Sequence, residues 1–109
     1  WAWNSDRPWP GVEAYYPGHE TVDLLGADIY PLPNRPEVYP QEWYDRVEKL
    51  AEGRPVALSE MSVLPTSSLL EKQPWAYFMS WDNLVFRANE DDRIREVFAS
   101  VRVVSDRVP

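Results

Sequence analysis

The sequence predicts an α/β protein built on a parallel sheet, and three observations carry that reading. Apolar runs at 22–30, 55–60 and 75–81 have the composition and length of strands. The connections between them are about 25 and about 15 residues long, the reach of a crossover rather than of a hairpin. Amphipathic stretches at 40–52 and 90–100 have helical spacing. A β-sandwich would space short strands more evenly and would leave no room for those helices.

Taken in order, "WAW" at 1–3 fits a strand end that runs into the turn-rich "NSDRPWPG". "TVDLLGADIY" (21–30) follows as a strand with Asp23 and Asp28 near its two ends, and Gly26 inside it leaves room for a neighbouring backbone to approach. Beyond the turn-rich "PLPNRPEVY" a helix is predicted over 40–52. Pro40 suits its first position, Gln41 and Glu42 its first turn, and Gly53 the residue past its end. Trp43, Val47, Leu50 and Ala51 give that helix one apolar face.

"PVALSE" (55–60) reads as the next strand, followed by the loop "SVLPTSS" and one helical turn over 69–72. "PWAYFMSW" (74–81) reads as another strand. A last helix is predicted over 90–100, capped by Asn89, with acids in its first turn and Ile94, Val97, Phe98 and Val101 on one stripe. The tail "VRVVSDRVP" closes the chain. No repeat, low-complexity tract or linker interrupts it, so residues 1–109 are expected to form one unit.

Composition narrows the functions. With 11 Lys and Arg against 18 Asp and Glu, the net charge of −7 repels a phosphate backbone and an anionic bilayer alike, so neither nucleic acid nor membrane is expected as a partner. The longest apolar run falls well short of the ~20 residues of a spanning helix. There is no cysteine and a single histidine, which excludes disulfides and thiolate metal sites. No cofactor is expected, and nothing supports a carboxylate-only cation site. Trp1 opens the chain without an initiator methionine or a leader pattern, so a fragment, a processed product or an excised domain is expected. Six Trp and six Tyr, many beside Pro, Asp or Asn, suit surfaces that stack on flat ligands such as sugar rings.

Parallel sheets gather ligands at the carboxyl ends of their strands. That directs attention to Asp28 and Tyr30, to Glu60, and to Trp81 with Asp82. A carboxylate closing an apolar run, as Glu60 does, is costly unless it is paired or functional. Retaining glycoside hydrolysis uses two carboxyls about 5–5.5 Å apart, one as nucleophile and one as acid/base, and Glu60 could be either. Glu20, in "GHE", imitates a His-Glu pair but precedes a strand and so falls at the end opposite the site. Asp28 is better placed, although an aspartate there more often orients a neighbour than transfers a proton. No nucleophile elbow, phosphate-binding glycine loop or metal-ligand cluster is present.

"WAWN", "YYPGHETVDLLGADIY", "RPVALSEMSVLP" and "WAYFMSW", in that order and at that spacing, resemble the carboxyl-terminal half of glycoside hydrolase family 26. That family is best known for endo-β-1,4-mannanases and adopts a (β/α)8 barrel. The resemblance implies that 1–4, 22–30, 55–60 and 75–81 are barrel strands five to eight. It makes Glu60 the nucleophile, Tyr30 its contact, Asp28 a site aspartate and Trp81 the platform on which the reacting sugar stacks. Trp3 would line the cleft from strand five. The implied activity is retaining hydrolysis of internal β-1,4 bonds in mannans, in a secreted enzyme without a cofactor.

The family's acid/base glutamate ends strand four, before the first of these blocks. The chain is therefore expected to hold the nucleophile without its proton donor, to need the missing amino-terminal half, and to be inactive alone. Three alternatives stay open. They are a β-1,3-1,4-glucanase or xylanase of the same family, a non-catalytic carbohydrate-binding domain of mostly antiparallel strands, and an inactive half-barrel assembly.

Overall fold

The computed structural model describes residues 1–31, 39–100 and 103. Four parallel strands form one sheet in the order β1 (Ala2–Asp6), β2 (Leu24–Ile29), β3 (Val56–Met61) and β4 (Phe78–Ser80). A doubly wound sheet reverses its strand order at a switch point, whereas here every new strand is added on the same side of the last. Unreversed order is how a (β/α)8 barrel grows.

β1 extends past the predicted 1–3 because Asn4, Ser5 and Asp6 stand opposite Gly26, Ala27 and Asp28. Pairing with β2 thus overrides the poor strand propensity of "NSD". β4 is shorter than the predicted 74–81, with only Leu58 opposite Phe78 and Met61 opposite Ser80 in an irregular register. Of the aromatics before it, Tyr77 is exposed and Trp75 is a packing residue. Trp75 is buried edge-on against Tyr44, ring centroids 4.8 Å apart, and its indole N–H donates to Gln73 Oε1 at 3.3 Å.

The first helix, α1 (Gln41–Ala51), follows Pro40, which stays extended at φ −56° and ψ 130° as the cap. It ends through Glu52 and Gly53, at φ 48° and φ 86°, a left-handed pair that only the glycine adopts without strain. α2 (Ser67–Lys72) starts a little before the predicted turn, because the Thr66 hydroxyl caps the Leu69 N–H at 3.0 Å. α3 (Asp82–Ala88) was not foreseen. Of its seven residues only Ala88 is buried and Phe86 is exposed, so it has no apolar stripe to read. α4 (Asp91–Ala99) replaces the predicted 90–100, with Glu90 rather than Asn89 at its cap. Val97 is buried and Ile94 packs on the core, Phe98 is exposed, and Val101 lies outside the described residues.

Leu25, Ala27 and Ile29 of β2 join Val56, Leu58 and Met61 of β3 in one core with Tyr44, Val47 and Ala51 of α1, Leu70 of α2 and Val97 of α4. Each fully buried aliphatic side chain contributes about 1.5–3 kcal/mol. Asn4, Gly26, Ala57 and Ser59, small or polar, alternate with them and form the other face of the sheet. The connection from β1 to β2 carries a short 3-10 helix, Val12–Tyr15, where the sequence showed only a turn-rich stretch. Arg46 of α1 holds it, donating to the Pro8 carbonyl at 2.9 Å and pairing with Glu13 at 3.3 Å. Among the described residues no helix is long and apolar enough to cross a membrane.

Candidate active site

Strict alternation from Val56 and Leu58 would aim Glu60 into the core, because residues two apart in a strand share a face. The strand avoids this with a bulge. Ala27 stands opposite Leu58, but the next residue, Asp28, stands opposite Glu60. Ser59 is the extra residue, and the one-residue slip brings Glu60 to the same face as Asp28.

At that rim Tyr30, one residue beyond β2, donates its hydroxyl proton to Glu60 Oε2. The Tyr30 hydroxyl oxygen in turn accepts the Trp81 indole N–H at 3.0 Å. A phenol has one proton and spare lone pairs, so it serves both neighbours at once. One hydroxyl thereby ties the carboxyl ends of β2, β3 and β4. Burial is the main cause that pushes the Tyr30 phenol above its usual range, and donation to Glu60 adds to it, while the Trp81 indole opposes it. Tyr30 therefore stays a neutral donor. Both rings remain open to a ligand, with Tyr30 44% and Trp81 56% exposed. A small hollow between Glu60, Met79, Ser80 and Trp81 lies beside them.

Asp28 sits behind Glu60. Burial raises its carboxyl above the usual range; a hydrogen bond from Asn4 opposes that, and the charges of Glu60 and Asp6 reinforce it. Its Oδ1 is buried and finds no hydrogen-bond partner among the described residues. Asn4 and Asp6 belong to this cluster and were missed in the sequence, where β1 was ended too early. Three polar residues in a row, Asn4, Ser5 and Asp6, show no alternation that would have marked them.

Trp3 is a correction. It stands opposite Leu25, one residue out of phase with Asn4, and meets Tyr16 edge-on at 5.2 Å while packing against the core. It does not join the cluster around Glu60. Glu20 lies in the turn before β2, as expected. Its neighbour His19 offers its carbonyl to Arg54 at 2.6 Å and its ring nitrogen lies 3.8 Å from Glu52, at the far end of α1. Asp82 opens α3 and accepts the Asn83 N–H at 2.6 Å.

The loops behind the rim are cross-tied. Ser62 Oγ donates to the Pro31 carbonyl at 2.7 Å, and Ser80 Oγ to the Met61 carbonyl at 2.9 Å. Asn89, rather than capping α4, accepts the Leu64 N–H at 2.7 Å and donates to the Ser62 and Val85 carbonyls, both at 3.0 Å. Among the described residues no group of three or more His, Cys, Asp or Glu could hold a metal ion.

Parallel strands in unreversed order, carrying a carboxylate, a phenol and an indole at their carboxyl ends, define a segment of a (β/α)8 barrel with a ligand rim. The model of glycosyl hydrolase family 26 matches residues 1–106, and the chain belongs to that family. Among solved structures it resembles GH26A from a Muricauda species, with 38% identity and a TM-score of 0.85 over 96% of this chain and 35% of that one. It also resembles the GH26-CBM35 β-(1,4)-mannanase of Podospora anserina, with 29% identity and a TM-score of 0.77 over 95% of this chain and 23% of that one. A β-mannanase from a protist symbiont of the termite Reticulitermes speratus, solved with a gluco-manno-oligosaccharide, gives 25% identity and a TM-score of 0.79 over 96% of this chain and 33% of that one. A mannan endo-1,4-beta-mannosidase of Thermothelomyces thermophilus is 28% identical over 96% of this chain. The chain spans 21% of that relative's length.

Proposed function

We propose that this chain is the carboxyl-terminal part of a retaining endo-β-1,4-mannanase, contributing barrel strands five to eight and the nucleophile Glu60. The observation that carries the reading is the Tyr30 hydroxyl, which joins Glu60 to Trp81 across three strand ends. Glu60 attacks the anomeric carbon of a mannosyl unit stacked on Trp81, and Tyr30 steers the carboxylate by donating to it. The leaving group is protonated by a second carboxyl, about 5–5.5 Å from the first in retaining enzymes, carried by the rest of the barrel. The described relatives named as mannanases support β-mannan as the substrate. Secretion accords with a polymeric substrate. A glucanase or xylanase of the same family would keep Glu60 and Tyr30 in these roles, and hydrolysis rates on the three polymers separate the cases. The all-parallel sheet speaks against a carbohydrate-binding domain of antiparallel strands.

The test is Glu60→Ala in the polypeptide that carries this chain with the rest of the barrel. Hydrolysis of β-mannan should be abolished while mannan oligosaccharide binding persists. Turnover near that of the unaltered protein overturns the assignment.

A further inference from the structure

Gly26 lies in the middle of β2, where glycine weakens a strand. Its conformation does not explain its presence, because the positive-φ glycines are Gly11, Gly18 and Gly53. Its surroundings do. A Cβ at Gly26 would lie 2.0 Å from Ser59 Oγ, 2.4 Å from Asn4 Oδ1 and 3.1 Å from Ser59 Cβ. The sequence suggested that this glycine admits a neighbouring backbone, but the close approaches are made by side chains from both flanking strands.

Those two side chains lead to the candidate site. Ser59 is the bulge residue that turns Glu60 onto the same face as Asp28, and Asn4 hydrogen-bonds Asp28. Resting on the reading of Glu60 as nucleophile, we propose that Gly26 is a positioning residue: the space beside its α-carbon seats Ser59 and Asn4, and through them sets Glu60 and Asp28. A methyl group there must push Ser59 Oγ, 2.0 Å away, back by about 1.4 Å or more to reach an ordinary contact, and a misplacement of about 1 Å at a reacting group can cost about 10²-fold in rate. Glu60 follows Ser59 directly in the chain, so the displacement passes to it through the backbone.

The experiment compares Gly26→Ala, Ser59→Gly and the double variant in the polypeptide carrying the whole barrel. Gly26→Ala should lower kcat on a soluble mannan oligosaccharide by about 10²-fold with KM little changed. The double variant, which removes both close Ser59 atoms and keeps only the Asn4 contact, should recover most of the kcat of Ser59→Gly. An unchanged kcat in Gly26→Ala, or a loss that the double variant does not recover, overturns the proposal. If Gly26→Ala fails to fold, the double variant decides, because it should fold and keep most of the turnover of Ser59→Gly, and its failure to do so overturns the proposal. A crystal structure of Gly26→Ala provides a readout independent of activity. It should show the Tyr30 to Glu60 hydrogen bond broken, and an intact bond overturns the proposal. A protein that lacks mannan hydrolysis before any substitution, or retains it in Glu60→Ala, refutes the functional reading and leaves this geometric test standing.

Discussion

Tyr30→Phe removes one oxygen and, with it, the hydrogen bonds to both Glu60 and Trp81. A hydrogen bond to a charged acceptor contributes about 1.5–3 kcal/mol and a neutral one about 0.5–1.5 kcal/mol. If the bond to Glu60 acts in full in the transition state, its loss corresponds to roughly 10- to 150-fold in kcat. Tyr30 is 44% exposed, so water takes over part of the role, and the expected loss is at the lower end, roughly tenfold. For the same reason the fold should be little affected. Steady-state kinetics on a mannan oligosaccharide, run beside a thermal melt, separate the two effects. Trp81→Phe, which keeps an aromatic face but loses the indole N–H, and the double variant complete the cycle: that N–H bonds the Tyr30 hydroxyl, so the two losses should be less than additive. The raised phenol pKa gives a further sign. Tyr30 favours the folded state below the ordinary tyrosine range, a contribution lost as pH rises through its elevated value, and Tyr30→Phe should abolish that alkaline step. A Tyr30→Phe variant with unaltered kcat, or with losses that add to those of Trp81→Phe, refutes the coupling through the phenol.

Asp28→Asn should raise the melting temperature at neutral pH. Because its carboxyl is raised above 3.8 in the folded protein, Asp28 favours folding when protonated and loses that contribution as pH rises through its folded value; the variant's gain should therefore vanish in acid, and a gain confined to acid contradicts the sign. Asn89→Ala leaves the buried Leu64 N–H unpaired and should cost about 1–3 kcal/mol in denaturant unfolding, unlike the helix-cap loss its position in the sequence suggested. Leu58→Ala, at 0% exposure in the core, should cost about 2–5 kcal/mol by the same measurement, and a negligible cost contradicts the placement of the core on that face of β3.

Strands β2 and β3 and helix α1 were legible because their apolar periodicity and end signals agree with the contacts they make. The same logic misjudged "PWAYFMSW", since aromatic residues suit strands and cores equally, and Trp75 serves the core against Tyr44. α3 escaped notice because a seven-residue helix with one buried side chain leaves no stripe. Asn89 resembled a cap because Asn before an acidic helix usually is one; here its amide is taken by the Ser62 and Leu64 loop groups and by the Val85 carbonyl of α3. At the site, block order and strand ends brought forward Asp28, Tyr30, Glu60 and Trp81, which the fold gathers. Trp3 failed on phase: whether a strand residue faces the core or the rim turns on a register that one sequence does not display. Asn4 and Asp6 were lost because β1 runs on through the polar "NSD" past the apolar "WAW". The bulge at Ser59 is the clearest case. Read with a period of two, the chain buries Glu60, and only the slip against β2 presents it.

That presentation is tested most directly by covalent trapping. The polypeptide carrying the whole barrel is incubated with a 2-deoxy-2-fluoro-β-mannoside bearing a good leaving group, digested, and its peptides weighed. A single sugar adduct on the peptide and side chain of Glu60 is the result expected. An adduct on any other carboxyl, or an active enzyme that accumulates none, contradicts the assignment of Glu60 as the nucleophile.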